Sequence, residues 1–289
     1  MKAAPFEYTR PESLAEACAL LAEQGGDAKL IAGGQSLVPM MAMRLARPAW
    51  LVDINRLAEL KRLVLEEGVL VVGATVRQCT IERNALAQAR LPLLARALKW
   101  VGHVQTRNRG TVGGSIVHAD PSAEIPLVAC VLDATLVLHD DSGPAEVQAR
   151  EFFFAPMVTA IAPEQCLAEI RFPVWKEARV GCAFDEVSIR HGDFALVSAC
   201  AQLALDAEGL CVRASLGIGG ASPFPQALPE AVERLVGRRL DDKAIADAAD
   251  AAAGLIDPDG DLHATADYRR HLARVMAARV LKAAVEDAQ

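Results

Sequence analysis

Two spacings of apolar residues alternate along this chain: short continuous or alternating runs that suit strands, and recurrences three and four apart that suit helix faces. Phe6–Tyr8 predicts a first strand. After Pro11, the residues Leu14, Ala17, Cys18 and Leu21 share one face of a helix that stops at Gly25-Gly26. Lys29–Ala32 predicts a short buried strand that ends in a glycine pair. Leu37, Met40, Met41, Arg44 and Leu45 then restore a helical period, and Trp50–Ile54 predicts the next strand. Strand, glycine turn, helix and strand together describe a small N-terminal α/β lobe ending near residue 55.

Val69–Val76 is the clearest strand in the sequence. Thr80–Ala89 and Leu91–Val101 predict helices, with Pro92 tolerated in the first turn of the second. Gln105–Arg109 reads as a polar approach to a second glycine-rich stretch, and Ile125–Leu132 as a helix. Ala134–His139 and Ala145–Ala149 flank Asp140–Gly143 as a hairpin, and Cys166–Phe172 predicts a strand ended by Pro173. These form a second, larger α+β lobe. Pro173–Arg179 reads as a boundary. Beyond it, Leu196–Leu205 and Leu210–Gly217 flank Asp206–Gly209 in a hairpin pattern. Ala-rich helices follow from about Pro229. The last begins near Thr265, with Tyr268, Leu272, Val275, Met276 and Arg279 at helical spacing. The third unit is therefore expected to be an antiparallel sheet backed by helices.

Composition narrows the function classes. The 289 residues are 52% hydrophobic, enough for a substantial core in two or three units. A formal net charge of −7 argues against a nucleic-acid or anionic-membrane partner. No apolar run is long enough to span a bilayer, and the first residues lack the apolar stretch of a signal peptide, so a cytoplasmic location is expected. None of the seven cysteines form a C-x-x-C pair, which argues against an iron–sulfur or zinc site in this chain. The six histidines form no cluster with metal-ligand spacing.

The candidate chemistry lies in two glycine-rich stretches. In the first, Lys29, Leu30, Ile31 and Ala32 lead into Gly33 and Gly34, followed by Gln35 and Ser36 at a helix start. A strand, paired glycines and a helix start can present consecutive backbone N–H groups to an anion, with Ser36 as a candidate cap. The second runs Arg109-Gly-Thr-Val-Gly-Gly-Ser115. Neither is a G-x-G-x-x-G or Walker motif, and each alone reads more readily as a tight turn than as a ligand site. Together they could form opposite walls of one phosphate-bearing cleft.

In combination, the AGGQSL and RNRGTVGGS stretches resemble the two FAD-binding signatures of the molybdenum hydroxylase family, in its separate flavoprotein (medium) subunit. Ala119–Glu124, His191–Phe194 and Tyr268–Leu272 extend the resemblance over essentially the whole chain. It implies an α+β fold: a two-lobed FAD-binding domain of the vanillyl-alcohol-oxidase/PCMH type over residues 1–175, with lobes of about 1–55 and 56–175. A C-terminal domain over 176–289 follows. Residues 29–36 are then expected to wrap the FAD diphosphate. Thr111, Gly113, Gly114 and Ser115 are expected to face it and the ribityl chain, although relatives often carry Asn or Asp where Ser115 stands. Asp120 and Glu124 read either as helix-start acids or as acceptors for ribose or ribityl hydroxyls, the family pattern favouring Glu124. Val101 and Leu167 match positions that line the cofactor, and otherwise read as core. Phe194 reads as a shield for the flavin ring or as an ordinary core residue. His191 reads as a turn anchor, and His118 has no partner that would make a nucleophile pair. Asp185 stands where some relatives carry a lysine, and its opposite charge excludes that role.

The resemblance implies an electron-transfer flavoprotein, an oxidoreductase subunit with no catalytic residue of its own. The [2Fe-2S] cluster and the molybdopterin cofactor are expected in a small iron–sulfur chain and a large molybdenum chain, assembled as a heterotrimer or a dimer of heterotrimers. A self-sufficient flavin oxidoreductase and a non-catalytic nucleotide-binding module are the alternatives. The first needs an acid or base at the flavin that the sequence does not reveal. The second predicts a colourless protein.

Overall fold

A computed structural model describes residues 2–289. The N-terminal lobe is a three-stranded parallel sheet with spatial order Glu7–Thr9, Trp50–Asp53, Ala28–Ile31. Parallel strands need crossover connections. The first is the helix Leu14–Gln24, which buries Leu14, Ala17, Cys18 and Leu21 and is capped by Ser13 accepting from the Glu16 N–H. Because all three strands run the same way, their C-terminal ends open on one edge of the sheet. That edge carries Arg10, Ala32–Gln35 and Asn55.

The second lobe is built on a five-stranded antiparallel sheet, ordered Leu63–Glu66, Val69–Gly73, Cys166–Pro173, Thr135–Asp140, Gly143–Gln148. Short helices pack against it around a core containing Phe152, Phe172, Leu93, Leu94, Ile116 and Ile125. Burying each such side chain contributes roughly 1.5–3 kcal/mol. The expected helix over Thr80–Ala89 is broken into Gln78–Arg83 and Ala85–Arg90. Asn84 ends the first and caps the second by accepting from the Ala87 N–H. The expected helix over Leu91–Val101 stops at Ala97, and the polar approach before the second motif is itself helical, Val104–Arg109.

The C-terminal unit is a four-stranded antiparallel sheet, ordered Arg179–Val187, Val197–Leu205, Cys211–Gly219, Gln226–Ala227. One face is covered by the helices Asp242–Leu255 and Ala266–Ala288, the other by the second lobe. Val197–Leu205 is buried at all nine positions for this reason. Cys200 joins the core of the second lobe, while Val197, Ala199, Ala201 and Leu203 pack under the helices. The strand Arg179–Val187 is an addition to the elements expected from the sequence. It too is covered on both sides, so its sequence lacks the polar/apolar alternation of a half-buried strand. Cys182 and Phe184 face the second lobe, whereas Ala183 lies in the helix-backed core.

Candidate functional site

The C-terminal edge of a parallel sheet is where open α/β folds receive ligands. Here it forms a cavity of about 560 Å³ lined by residues that include Tyr8, Arg10, Ile31–Gln35, Asp53, Asn55 and Arg109. The structure thus brings the first glycine stretch and the start of the second into one place. Gly33 lies flush against the second stretch: a Cβ there would come within 2.5 Å of the Arg109 carbonyl oxygen and 2.9 Å of the Gly110 Cα. Gly34 has φ +71°, a left-handed conformation that disfavours any side chain. The Gln35 side chain donates to the Gly33 carbonyl at 3.2 Å.

The two stretches offer different chemistry. Among the described residues, no protein acceptor takes the N–H groups of Gly33, Gly34, Gln35 or Ser36. Gly33, Gly34 and Gln35 line the cavity and Ser36 follows directly, and adjacent free donors of this kind are an anion seat. Ser36 occupies the N-cap position of the helix Leu37–Ala42, but its side chain makes no capping bond. In the second stretch the glycines open a helix, Val112–His118, whose N–H groups are already taken. The Val112 N–H donates to the Val76 carbonyl and that of Gly113 to the Ala74 carbonyl, both at 3.0 Å. The Ser115 N–H donates to the Thr111 carbonyl at 3.2 Å. The Gly114 N–H donates to Thr111 Oγ1 at 3.0 Å. Gly113 is confined by Ala74, which a Cβ would meet at 2.6 Å. Among the described residues from Gly110 to Ser115, Thr111 alone keeps an N–H without a protein acceptor, so this stretch offers hydroxyls and one amide rather than a run of free amides. Thr111 is buried and Ser115 half-buried.

The other sequence candidates lie further along the same surface or beneath it. Lys29 is exposed on its strand and Leu30 half-buried beside it. Val101 is half-buried against the second-lobe core, and its carbonyl accepts from Arg107 at 3.0 Å. Leu167 is buried within that core. Asp120 and Glu124 lie at the seam with the C-terminal sheet, where the Ser122 hydroxyl donates to the Ala195 carbonyl at 2.9 Å and the Gly220 N–H to the Pro121 carbonyl at 2.9 Å. Burial pushes the Glu124 carboxyl up to about 7, and the neighbouring charge of Asp120 adds to the effect. Phe194 is 74% exposed, so it is not a core residue. His191 packs its ring 5.5 Å from that of Trp100. Asp185 points to the other face of its strand and pairs with Arg279 at 2.9 Å.

Five site residues carry no signal in the sequence motifs. Tyr8, Arg10 and Asp53 form one corner of the cavity. The Tyr8 hydroxyl donates to Asp53, and Arg10 donates to the Tyr8 oxygen at 2.7 Å. Burial opposes ionisation of Asp53, yet the bonds from Tyr8 and Asn55 and the charge of Arg10 outweigh it and hold the carboxyl below its usual range. Asn55 and Arg77 lie under the glycine stretches. Position at the end of a parallel strand could have suggested Asp53 and Asn55, but nothing local marks Arg77. A sixth residue, Glu186, faces the seam from the C-terminal sheet. It is 6% exposed, and neither carboxyl oxygen has a hydrogen-bond partner. Burial pushes it up to about 8, assisted by the charges of Glu124 and Asp185.

Comparison with known proteins agrees with this geometry. Residues 4–175 match the family described as the FAD binding domain in molybdopterin dehydrogenase, and residues 182–284 match the CO dehydrogenase flavoprotein C-terminal domain. The chain is 37% identical to 6-hydroxypseudooxynicotine dehydrogenase complex subunit alpha of Paenarthrobacter nicotinovorans, over 100% of this chain and 97% of that one. It is 36% identical to the carbon monoxide dehydrogenase medium chain of Hydrogenophaga pseudoflava, over 96% of each. A solved structure of carbon monoxide dehydrogenase from the same organism superposes with a TM-score of 0.96 at 36% identity, covering 100% of both chains. The cofactor of the matched domain fits the cavity: four unclaimed amides suit a diphosphate, and the absence of a Cβ at Gly33 lets both stretches share one wall. The chain belongs to the FAD-binding medium subunits of the molybdenum hydroxylase family.

Proposed function

We propose that this chain is the electron-transfer flavoprotein of a multi-subunit molybdenum hydroxylase, taking electrons from a [2Fe-2S] chain and passing them to an external acceptor. In this reading residues 1–175 hold FAD and residues 176–289 close over it. The observation that carries the proposal is an imbalance in the site. There is a built anion seat at Gly33–Ser36, yet among the described residues no group of three or more His, Cys, Asp or Glu could hold a metal. A cofactor site without a metal site suits a relay whose other redox centres lie in partner chains, in a heterotrimer or its dimer.

FAD supplies a group that accepts electrons and can release them singly. The residues of this chain bind and orient it. The Gly33–Ser36 amides hold the diphosphate and the hydroxyls of Thr111 and Ser115 add polar contacts. Val101, Leu167, Asp120 and Glu124 complete the contact set, together with Lys29–Ala32 on the strand that leads in. No helix of the described residues is long and apolar enough to cross a membrane, and a cytoplasmic complex is the setting we propose. The test is stopped-flow flavin reduction with candidate hydroxylase substrates, comparing the chain alone with the reconstituted complex. Fast bleaching only in the complex supports the relay. Fast bleaching of the chain alone by an organic substrate would make it a self-sufficient oxidoreductase instead.

A further inference from the structure

The two glycine stretches are separated by some eighty residues, yet one line of side-chain hydrogen bonds joins them. Asn55 Nδ2 donates to the Ala32 carbonyl at 2.7 Å. Asn55 Oδ1 accepts from Arg77 Nη2 at 2.7 Å. Arg77 Nη1 donates to the Arg109 carbonyl. Each end of this line fixes a peptide plane. Because the peptide is planar and trans, holding the Ala32 carbonyl also sets the direction of the Gly33 N–H, the first of the four free donors. Both middle residues are themselves anchored. Asn55 also donates from its backbone and its amide to Asp53 Oδ1, at 2.9 and 2.7 Å. Arg77 bridges to Thr111 through its backbone, while the Gln78 N–H donates to the Gly110 carbonyl at 3.0 Å.

We propose that Asn55 and Arg77 are positioning residues for FAD, a two-residue clasp that locks the Gly33–Ser36 loop to the Arg109–Ser115 stretch at the spacing the diphosphate requires. Only a forked side chain can do this, since Arg77 reaches Asn55 with one nitrogen and the Arg109 carbonyl with another. The clasp also holds two like charges together. Burial, with the charge of Arg109 beside it, lowers the Arg77 pKa from its ordinary value. An anion in the adjoining seat relieves that repulsion, so the clasp favours the occupied site over the empty one.

The test uses the full chain freed of FAD, in four variants: Asn55→Ala, Arg77→Gln, Arg77→Lys and the double Asn55→Ala/Arg77→Gln. FAD dissociation constants are measured by flavin fluorescence on the folded fraction, with the 31P signals of the bound diphosphate as a spectroscopic readout. Each single variant is expected to raise the FAD Kd roughly tenfold or more, the size of losing a hydrogen bond to a charged group. Arg77→Lys keeps the charge and loses the fork, and is expected to behave like Arg77→Gln. The double variant is expected to be little worse than either single, because one device is broken once. The 31P signals are expected to move in every variant that still binds. Unchanged FAD affinity with a lowered melting temperature would make the pair merely structural. Full retention of affinity by Arg77→Lys would reduce Arg77 to a charge, and additive losses in the double variant would dissolve the clasp; each result overturns the proposal. Failure of the unaltered chain to bind FAD is a separate outcome, which would overturn the cofactor reading itself.

Discussion

Replacing Glu186 by Gln should make the FAD-free chain more stable, and increasingly so as pH rises. Glu186 lies on the strand Arg179–Val187 and faces the seam with the second lobe. Its carboxyl oxygens are buried without partners, and the hydroxyl of Ser198, its cross-strand neighbour, is likewise unpaired. The charged groups acting on this cluster are Glu124 and Asp185 on Glu186 itself, and Asp120 and Arg107 on Glu124. The folded chain therefore keeps a proton on Glu186 up to about pH 8, whereas an ordinary glutamate gives it up near 4.5. A raised folded-state pKa means that stability is complete below the unfolded value. It falls as pH climbs between the two values, because only the unfolded chain ionises there. At about 1.4 kcal/mol per pH unit, the loss is roughly 2 kcal/mol by pH 6 and on the order of 4 kcal/mol by pH 8. Glutamine keeps the shape and cannot ionise, so the variant avoids this loss. Urea unfolding of both proteins at pH 5, 6, 7 and 8 measures the difference. It is expected to be small at pH 5 and to widen steadily toward pH 8. Two parallel pH profiles would show that Glu186 is not held protonated, and the account of the seam would fail.

Two further outcomes follow from the packing. Gly33→Ala drives a Cβ against the Arg109 backbone, so it should destabilise the fold by about 1–3 kcal/mol and sharply lower FAD occupancy; equilibrium unfolding and the flavin-to-protein absorbance ratio check both. Thiol titration of the native chain should find one reactive cysteine, Cys79, because the other six are buried and burial pushes Cys130 and Cys166 up to about 12. In denaturant all seven should react, and fast reaction of several native thiols would contradict the core assignment.

Much of this protein is legible locally. The helix Leu14–Gln24 follows from four apolar residues on one face, and the hairpin Val197–Leu205 with Cys211–Gly219 from two apolar runs about a turn. The two glycine stretches, and through them the family, are visible because glycine is required wherever a backbone must approach closely or turn left-handed. Gly33 and Gly34 meet one of these demands each. What the sequence by itself could not decide is which amides remain free. The two stretches look alike as strings, yet in the second the N–H groups of Val112–Ser115 are taken by Val76, Ala74 and Thr111, whereas those of Gly33–Ser36 are left free. That difference is set by neighbours brought in from other strands. Arg77 and Glu186 were hidden for the same reason. One is a cation under a loop forty residues away, and the other an acid on a strand whose two covered faces erase the alternation that marks strands. Periodicity records which side of an element is covered. It carries no record of which partner covers it, and hydrogen-bond satisfaction, charge pairing and pKa depend on that partner.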